Sequence, residues 1–241
     1  MIIGGLEKLT LLDYPDHLAA IIFTQGCNFR CHFCYNPLLV LPLKGGDEKN
    51  KKEKGFSPLS SKNLFLFLTE RFGRLEGVVI TGGEPTLHPD LPSFIKKIKK
   101  IGYLVKLDTN GTNSGMLAGL IKDKLIDYIA MDLKAPLAKY EAVTGVPVDC
   151  KKIARSVKMI IASGLPYEFR TTVVPGLLEK NDFEAMGEVI KGAKKWYLQD
   201  FKSDTGLVND NFEKKSGYSS KDMAEFAAIG RKYVDLCEVR G

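Results

Sequence analysis

The chain has 241 residues, 44% of them hydrophobic and 27% charged, a balance that excludes a disordered, collagen-like or disulfide-dense polypeptide. A folded chain of this size buries roughly 70% of its unfolded surface, so a core can form without covalent staples. Its 35 Lys and Arg against 29 Asp and Glu leave a net charge of +6, too mild an excess for a nucleic-acid-binding signature.

From the N-terminus, MIIGGLEKLTLLDYP breaks its apolar residues with Glu7 and Lys8 and reads as a strand or hairpin rather than a targeting segment. No window holds the roughly 20 apolar residues of a membrane span, and a cytoplasmic protein is expected. A β-branched or apolar run, a polar or glycine turn and a longer amphipathic stretch then recur along the chain. Strands are expected at 18–24, 77–81, 103–108, 128–132, 167–174 and 195–201, and helices at 60–72, 91–101, 114–122, 151–163, 182–191 and 220–234.

Such alternation means an α/β fold with a parallel sheet. A closed eight-fold barrel takes about 250 residues, so six repeats plus an N-terminal strand predict a partial (β/α)6 barrel, with a doubly wound sheet as the alternative. Either architecture gathers its chemistry at the C-terminal ends of the strands. The expected organisation is one domain over 1–241, with a mobile basic loop at 42–58 and a C-terminal helix and tail at 219–241.

Cys27, Cys31 and Cys34 follow the first of these strands with the spacing C-x-x-x-C-x-x-C, while Cys150 and Cys237 stand alone. In a reducing compartment such a cluster reads as metal-binding or catalytic. A [4Fe–4S] cluster normally takes four cysteine ligands, so a set of three leaves one iron open, as catalytic metal sites do. The alternative is a structural zinc site completed by His32, His17 or Cys150, although adjacency to Cys31 makes ligation by His32 awkward. One βα unit later the strand 77–81 runs into Gly82, Gly83, Glu84 and Pro85. The two glycines permit close approach to the backbone, and Glu84 can accept from an ammonium group.

With CNFRCHFC, which has Phe33 before its last cysteine, and GGEP, the chain resembles the radical S-adenosylmethionine superfamily. A closer resemblance, carried by GGLEKLTLLDYP, AAIIFTQGCNFRC, GVVITGGEPTL, VKLDTNGTN, DYIAMDLKAP, YEFRTTVVPG and YLQDF, is to glycyl-radical-enzyme activating proteins, in particular those of anaerobic ribonucleoside-triphosphate reductase. The resemblance implies that Cys27, Cys31 and Cys34 hold a [4Fe–4S] cluster whose open iron chelates S-adenosyl-L-methionine. One electron, from a low-potential donor such as flavodoxin or ferredoxin, then cleaves the sulfonium. The resulting 5′-deoxyadenosyl radical takes a hydrogen atom from a glycine of the partner enzyme, while the protein supplies position and exclusion of water.

Contacts to S-adenosylmethionine are expected from Phe33, Tyr35, Gly82, Gly83 and Glu84 and from further strand ends. Asp108 and Asn110, in Asp-Thr-Asn-Gly, are candidates for such contact, with turn or cap formation as the alternative. The resemblance places Asp132 and Lys134 beside the cofactor. Arg170 is a charge inside a strand, costly unless paired, and shares parity with Glu168, which makes a Glu168–Arg170 pair the structural alternative. Many activating proteins have His and Asn after the third cysteine, where this chain has Tyr35 and Asn36.

Two rival functions stand beside the activase: a radical enzyme acting on a small molecule or modified base, and a structural zinc-binding interaction protein. A small-molecule enzyme must enclose its substrate, and six units leave little chain for a cap. An open barrel side would instead admit a glycine-bearing loop, with the basic residues of 44–54 facing an acidic partner.

Overall fold

The computed structural model describes residues 1–40, 59–204 and 206–240. The basic segments 42–58 and 44–54 lie outside the described residues. By its contacts the chain divides into two compact units, Met1–Asn28, Leu38–Thr109 and Ala118–Tyr128 in the first, and Phe29–Pro37, Asn110–Leu117 and Ile129–Gly241 in the second.

In the first unit the N-terminal hairpin is β1 (Ile3–Thr10) against β2 (Ala19–Thr24), antiparallel. A short α1 (Pro37–Val40) and α2 (Ser61–Arg71) precede β3 (Gly77–Gly82), which runs parallel to β2 in the register Ile22↔Ile80 and Thr24↔Gly82. Then come α3 (Leu91–Ile101) and β4 (Leu104–Thr109), parallel to β3. Helix α3 carries Pro92 in its first turn and ends at Gly102, whose φ of 113° no side-chain-bearing residue adopts without strain. Four buried apolar positions, Leu91, Phe94, Ile95 and Ile98, give it one core face. Tyr14, Ala19, Ile21, Val79 and Tyr128 form a core cluster with Phe23 and Leu104 against it. Gly77 is required there, since a Cβ would come within 2.7 Å of the Tyr14 ring.

After α4 (Ser114–Lys122), β5 (Tyr128–Asp132) leads into the second unit through a short α5 (Tyr140–Thr144) and α6 (Cys150–Ala162). There β6 (Tyr167–Val173), α7 (Lys180–Val189), β7 (Lys195–Asp200), α8 (Ser220–Gly230) and β8 (Leu236–Arg240) follow, with β5–β6, β6–β7 and β7–β8 all parallel. Trp196 is fully buried and donates from Nε1 to Thr171 Oγ1 at 2.9 Å, while Phe183 and Phe226 stack at 4.5 Å between α7 and α8. The expected six strands and their helices are present, and the C-terminal tail adds β8, which the sequence pattern does not announce. Among the described residues, no helix is long and apolar enough to cross a membrane.

Candidate functional site

In the first unit the ends of β2, β3 and β4 meet. Gly83 N–H donates to Thr24 O and Glu84 N–H to Gly26 O, both at 2.8 Å, so the loops after β2 and β3 run backbone to backbone. A Cβ on Gly83 would lie 2.0 Å from Gly26 O, and one on Gly82 2.5 Å from Thr24 N. The close approach these glycines permit is thus, first, to the loop that leads into Cys27. Glu84 is 1% exposed, and its Oε1 accepts from Thr86 N–H at 3.1 Å, from Thr109 Oγ1 at 2.7 Å and from the Thr86 hydroxyl, capping the turn Pro85–Leu87. On β4, Lys106 is 1% exposed, and its Nζ donates to Asp108 Oδ1 at 2.8 Å. This buried pair, with both residues on one side of a strand at i and i+2, is the signal by which Lys106 stands out beside Asp108.

In the second unit Asp132, at the end of β5, lies in register with Arg170 of β6. Arg170 Nε donates to Asp132 Oδ1 at 3.0 Å, and Lys134 Nζ to Asp132 Oδ2 at 2.9 Å. Glu168, the alternative partner weighed for Arg170, has its Oε2 3.4 Å from Arg240 NH1 of β8. Burial would raise the Asp132 carboxyl, but the Arg170 and Lys134 cations override it and hold the group well below the ordinary carboxylate range. Lys134 is likewise opposed by burial and held above the ordinary lysine range by Asp132, Cys31 and Cys34. Its Nζ lies 5.8 Å from the centroid of the Phe33 ring, and its backbone N–H donates to the buried Tyr140 hydroxyl at 3.2 Å.

Cys31 is buried and Cys34 half-buried in this unit, with Cys34 N–H donating to Cys31 O at 3.1 Å in a tight turn. Burial pushes the Cys34 thiol up, against the pull of the Asn36 amide and Lys134. Such a thiol ionises readily only when a metal supplies positive charge. Tyr35 is 39% exposed, and its hydroxyl accepts from Lys202 N–H at 2.9 Å. Asn110 makes the turn expected of its neighbourhood, its Oδ1 accepting from Thr112 N–H at 3.0 Å and Thr112 Oγ1 at 2.7 Å.

Cys27 belongs to the first unit, and Cys31 and Cys34 to the second. Among the described residues, no group of three or more His, Cys, Asp or Glu side chains is placed to hold a single metal ion. The three side chains weighed as a fourth zinc ligand have other engagements. His17 faces Glu76 at the start of β2, His32 faces Asn209, and Cys150 Sγ donates to Leu137 O at 3.2 Å. As donors, the soft thiols of Cys31 and Cys34, with the half-buried Lys134 cation beside them, suit an iron–sulfur cluster.

A protein of Methanocaldococcus jannaschii named as a putative glycyl-radical enzyme activating enzyme is 32% identical over 99% of this chain and 95% of its own length. The pyruvate formate-lyase-activating enzyme of Clostridium pasteurianum is 28% identical over 80% and 77%, and a GTP 3′,8-cyclase of Sulfolobus acidocaldarius is 36% identical over 55% and 39%. Among solved structures, the SuiB protein of Streptococcus suis bound to its precursor peptide superposes with a TM-score of 0.66 at 14% identity, over 92% of this chain and 48% of that one. These likenesses fit an α/β fold with mostly parallel strands, consistent with a partial barrel. The family model of the radical SAM superfamily matches residues 21–189, so the chain belongs to that superfamily, and its cofactors are a [4Fe–4S] cluster and S-adenosylmethionine.

Proposed function

We propose that the chain is a cytoplasmic activating enzyme for a glycyl-radical enzyme, with anaerobic ribonucleoside-triphosphate reductase as the partner. The observation that carries this reading is the end-to-end match to the M. jannaschii protein so named, 99% of one chain on 95% of the other. In this reading Cys27, Cys31 and Cys34 hold the cluster, and flavodoxin or ferredoxin supplies its electron. When bound, the cluster and S-adenosylmethionine supply a carbon radical able to take a hydrogen atom from a glycine Cα. The chain's own part is electrostatic and steric. Asp132, Lys134 and Arg170 together carry one more positive than negative charge, which suits the carboxylate of S-adenosylmethionine, and the buried Phe33 ring keeps water from that side.

A second reading, a radical enzyme acting on a small molecule, is favoured by the 36% identity to a GTP 3′,8-cyclase, though that match spans 55% of this chain. One experiment separates the two. Anaerobically reconstituted and reduced protein is mixed with S-adenosylmethionine and the purified reductase, and electron paramagnetic resonance is recorded. A persistent doublet that collapses when the reductase carries α-deuterated glycine is the expected result. Cofactor cleavage stimulated only by GTP or another small metabolite, with no radical on the reductase, would overturn the activase reading.

A further inference from the structure

The cysteine loop has no helix or strand of its own between Gln25 and Asn36, so its order must come from what it touches. On the N-terminal side of Cys31, Arg30 N–H donates to Thr144 O at 2.8 Å, and the Phe29 ring packs edge-on against Tyr140 at 6.4 Å. On its C-terminal side the partner comes from far along the chain. Asn209 N–H donates to His32 O at 3.1 Å, and Asn209 Nδ2 lies 3.2 Å from His32 Nδ1. An amide NH2 only donates, so this contact places the histidine in the tautomer with Nδ1 bare. The His32 ring lies flat on Phe212, with centroids 5.5 Å apart and planes 4° from parallel.

The segment that supplies these groups is itself well tied. Asn209 Oδ1 accepts from Asn211 N–H at 3.1 Å, which fixes the orientation of the amide. Phe212 N–H donates to Asn209 O at 2.9 Å, and Leu207 N–H to Glu213 Oε1 at 2.8 Å. Lys215 Nζ sits 4.1 Å from the Phe212 ring centroid, and Phe212 is 8% exposed. One backbone hydrogen bond, one side-chain hydrogen bond and one flat ring contact thus grip a residue that stands between Cys31 and Cys34.

We infer that Asn209 and Phe212 are positioning residues for the cluster: by clamping His32 they hold the Cys31–Cys34 turn ordered before any iron arrives and shield it from solvent afterwards. The inference rests on reading Cys31 and Cys34 as cluster ligands. A clamp of this kind lowers the ordering entropy that cluster assembly must overcome, as a preformed site binds metal better than a loop that has to fold around it.

The test begins with the full-length protein free of iron. Amide hydrogen exchange over residues 30–35, and the rate at which iodoacetamide labels Cys31, are compared among the parent, Phe212→Ala, Asn209→Ala and Phe212→Tyr. Both alanine variants are expected to speed exchange and labelling about tenfold, equivalent to about 1.4 kcal/mol, while Phe212→Tyr, which keeps the flat ring, stays close to the parent. Combining His32→Ala with Phe212→Ala should loosen the loop no further than His32→Ala alone, since that change already removes the ring contact. After anaerobic reconstitution, the alanine variants should lose their charge-transfer absorption faster in air.

Parent-like exchange at 30–35 in a Phe212→Ala protein whose β5–β8 amides remain protected would overturn the clamp. If Phe212→Ala does not fold, Phe212→Leu decides: faster exchange supports the ring contact, and parent-like exchange refutes it. Failure of the parent to take up iron would instead count against the cluster ligands and leave the clamp, measured without iron, standing.

Discussion

Glu84 and Asp132 each close a strand with a buried or half-buried carboxyl group, and each has its own task there. Glu84 accepts from an amide and from the hydroxyls of Thr86 and Thr109, and caps a turn. Asp132 is held by two cations, Lys134 and Arg170, and leaves that cluster with an excess of positive charge. The first arrangement fixes the geometry of a loop, whereas the second stores charge near the cysteine turn. Neutralising the two carboxyl groups should therefore have very different consequences, and the comparison can be broken or sharpened on that basis.

The largest effect is expected where the comparison meets the cofactor. Changing Cys27, Cys31 or Cys34 to Ala should bring iron content after reconstitution to background and abolish cofactor cleavage, because only three thiolates serve the cluster in the proposed reading. Cys150→Ala and Cys237→Ala should keep parental iron. An iron assay showing loss in Cys150→Ala would reassign the ligand set.

Asp132→Asn comes next. It leaves Lys134 and Arg170 facing each other without their shared counter-charge, and breaking such a pair costs about 3 kcal/mol. Urea unfolding of the iron-free protein should show this as a lowered midpoint. Glu84→Gln should cost less, about 1 kcal/mol, since an amide oxygen still accepts from the threonine hydroxyls. On S-adenosylmethionine affinity it should act about tenfold, measured by calorimetry on reconstituted protein. Equal destabilisation by the two changes would erase the distinction between a capping and a charge-storing carboxyl.

Much of this was legible in the sequence, and what was not has identifiable causes. The helices expected at 91–101 and 114–122 match α3 and α4, because each carries strong punctuation: a first-turn proline and glycine end in α3, and a preceding turn of Thr and Asn in α4. The strand ends were found by the same logic. Strand β8 was not, since Leu236–Arg240 is five residues long and its last three are exposed, leaving too little apolar pattern to read. Parity alone relates Arg170 to Glu168; that Arg170 lies opposite Asp132 is set by sheet register, which is a property of neighbouring strands rather than of one. The contact between His32 and Asn209 bridges 177 positions and leaves no periodic trace in the sequence.

The smallest expected effect, and the one that bears most directly on charge storage, is the pH dependence of the Asp132→Asn deficit. In the folded chain Asp132 is held below its ordinary value, whereas in the unfolded chain it titrates near about 3.9. A depressed carboxyl stabilises the fold above its unfolded value, and that contribution is lost as pH falls through the folded one. Lys134 is displaced the opposite way, upward from an unfolded value of about 10.4, so its contribution is complete below that value and is lost as pH rises through the folded one. The stability gap between parent and Asp132→Asn should therefore be flat from about pH 5 to about pH 10 and narrow on either side. Urea midpoints at a series of pH values test this directly. A gap that closes between neutrality and about pH 5 would mean that a group titrating near the ordinary histidine value governs the cluster, and the two-cation account of Asp132 would have to be abandoned.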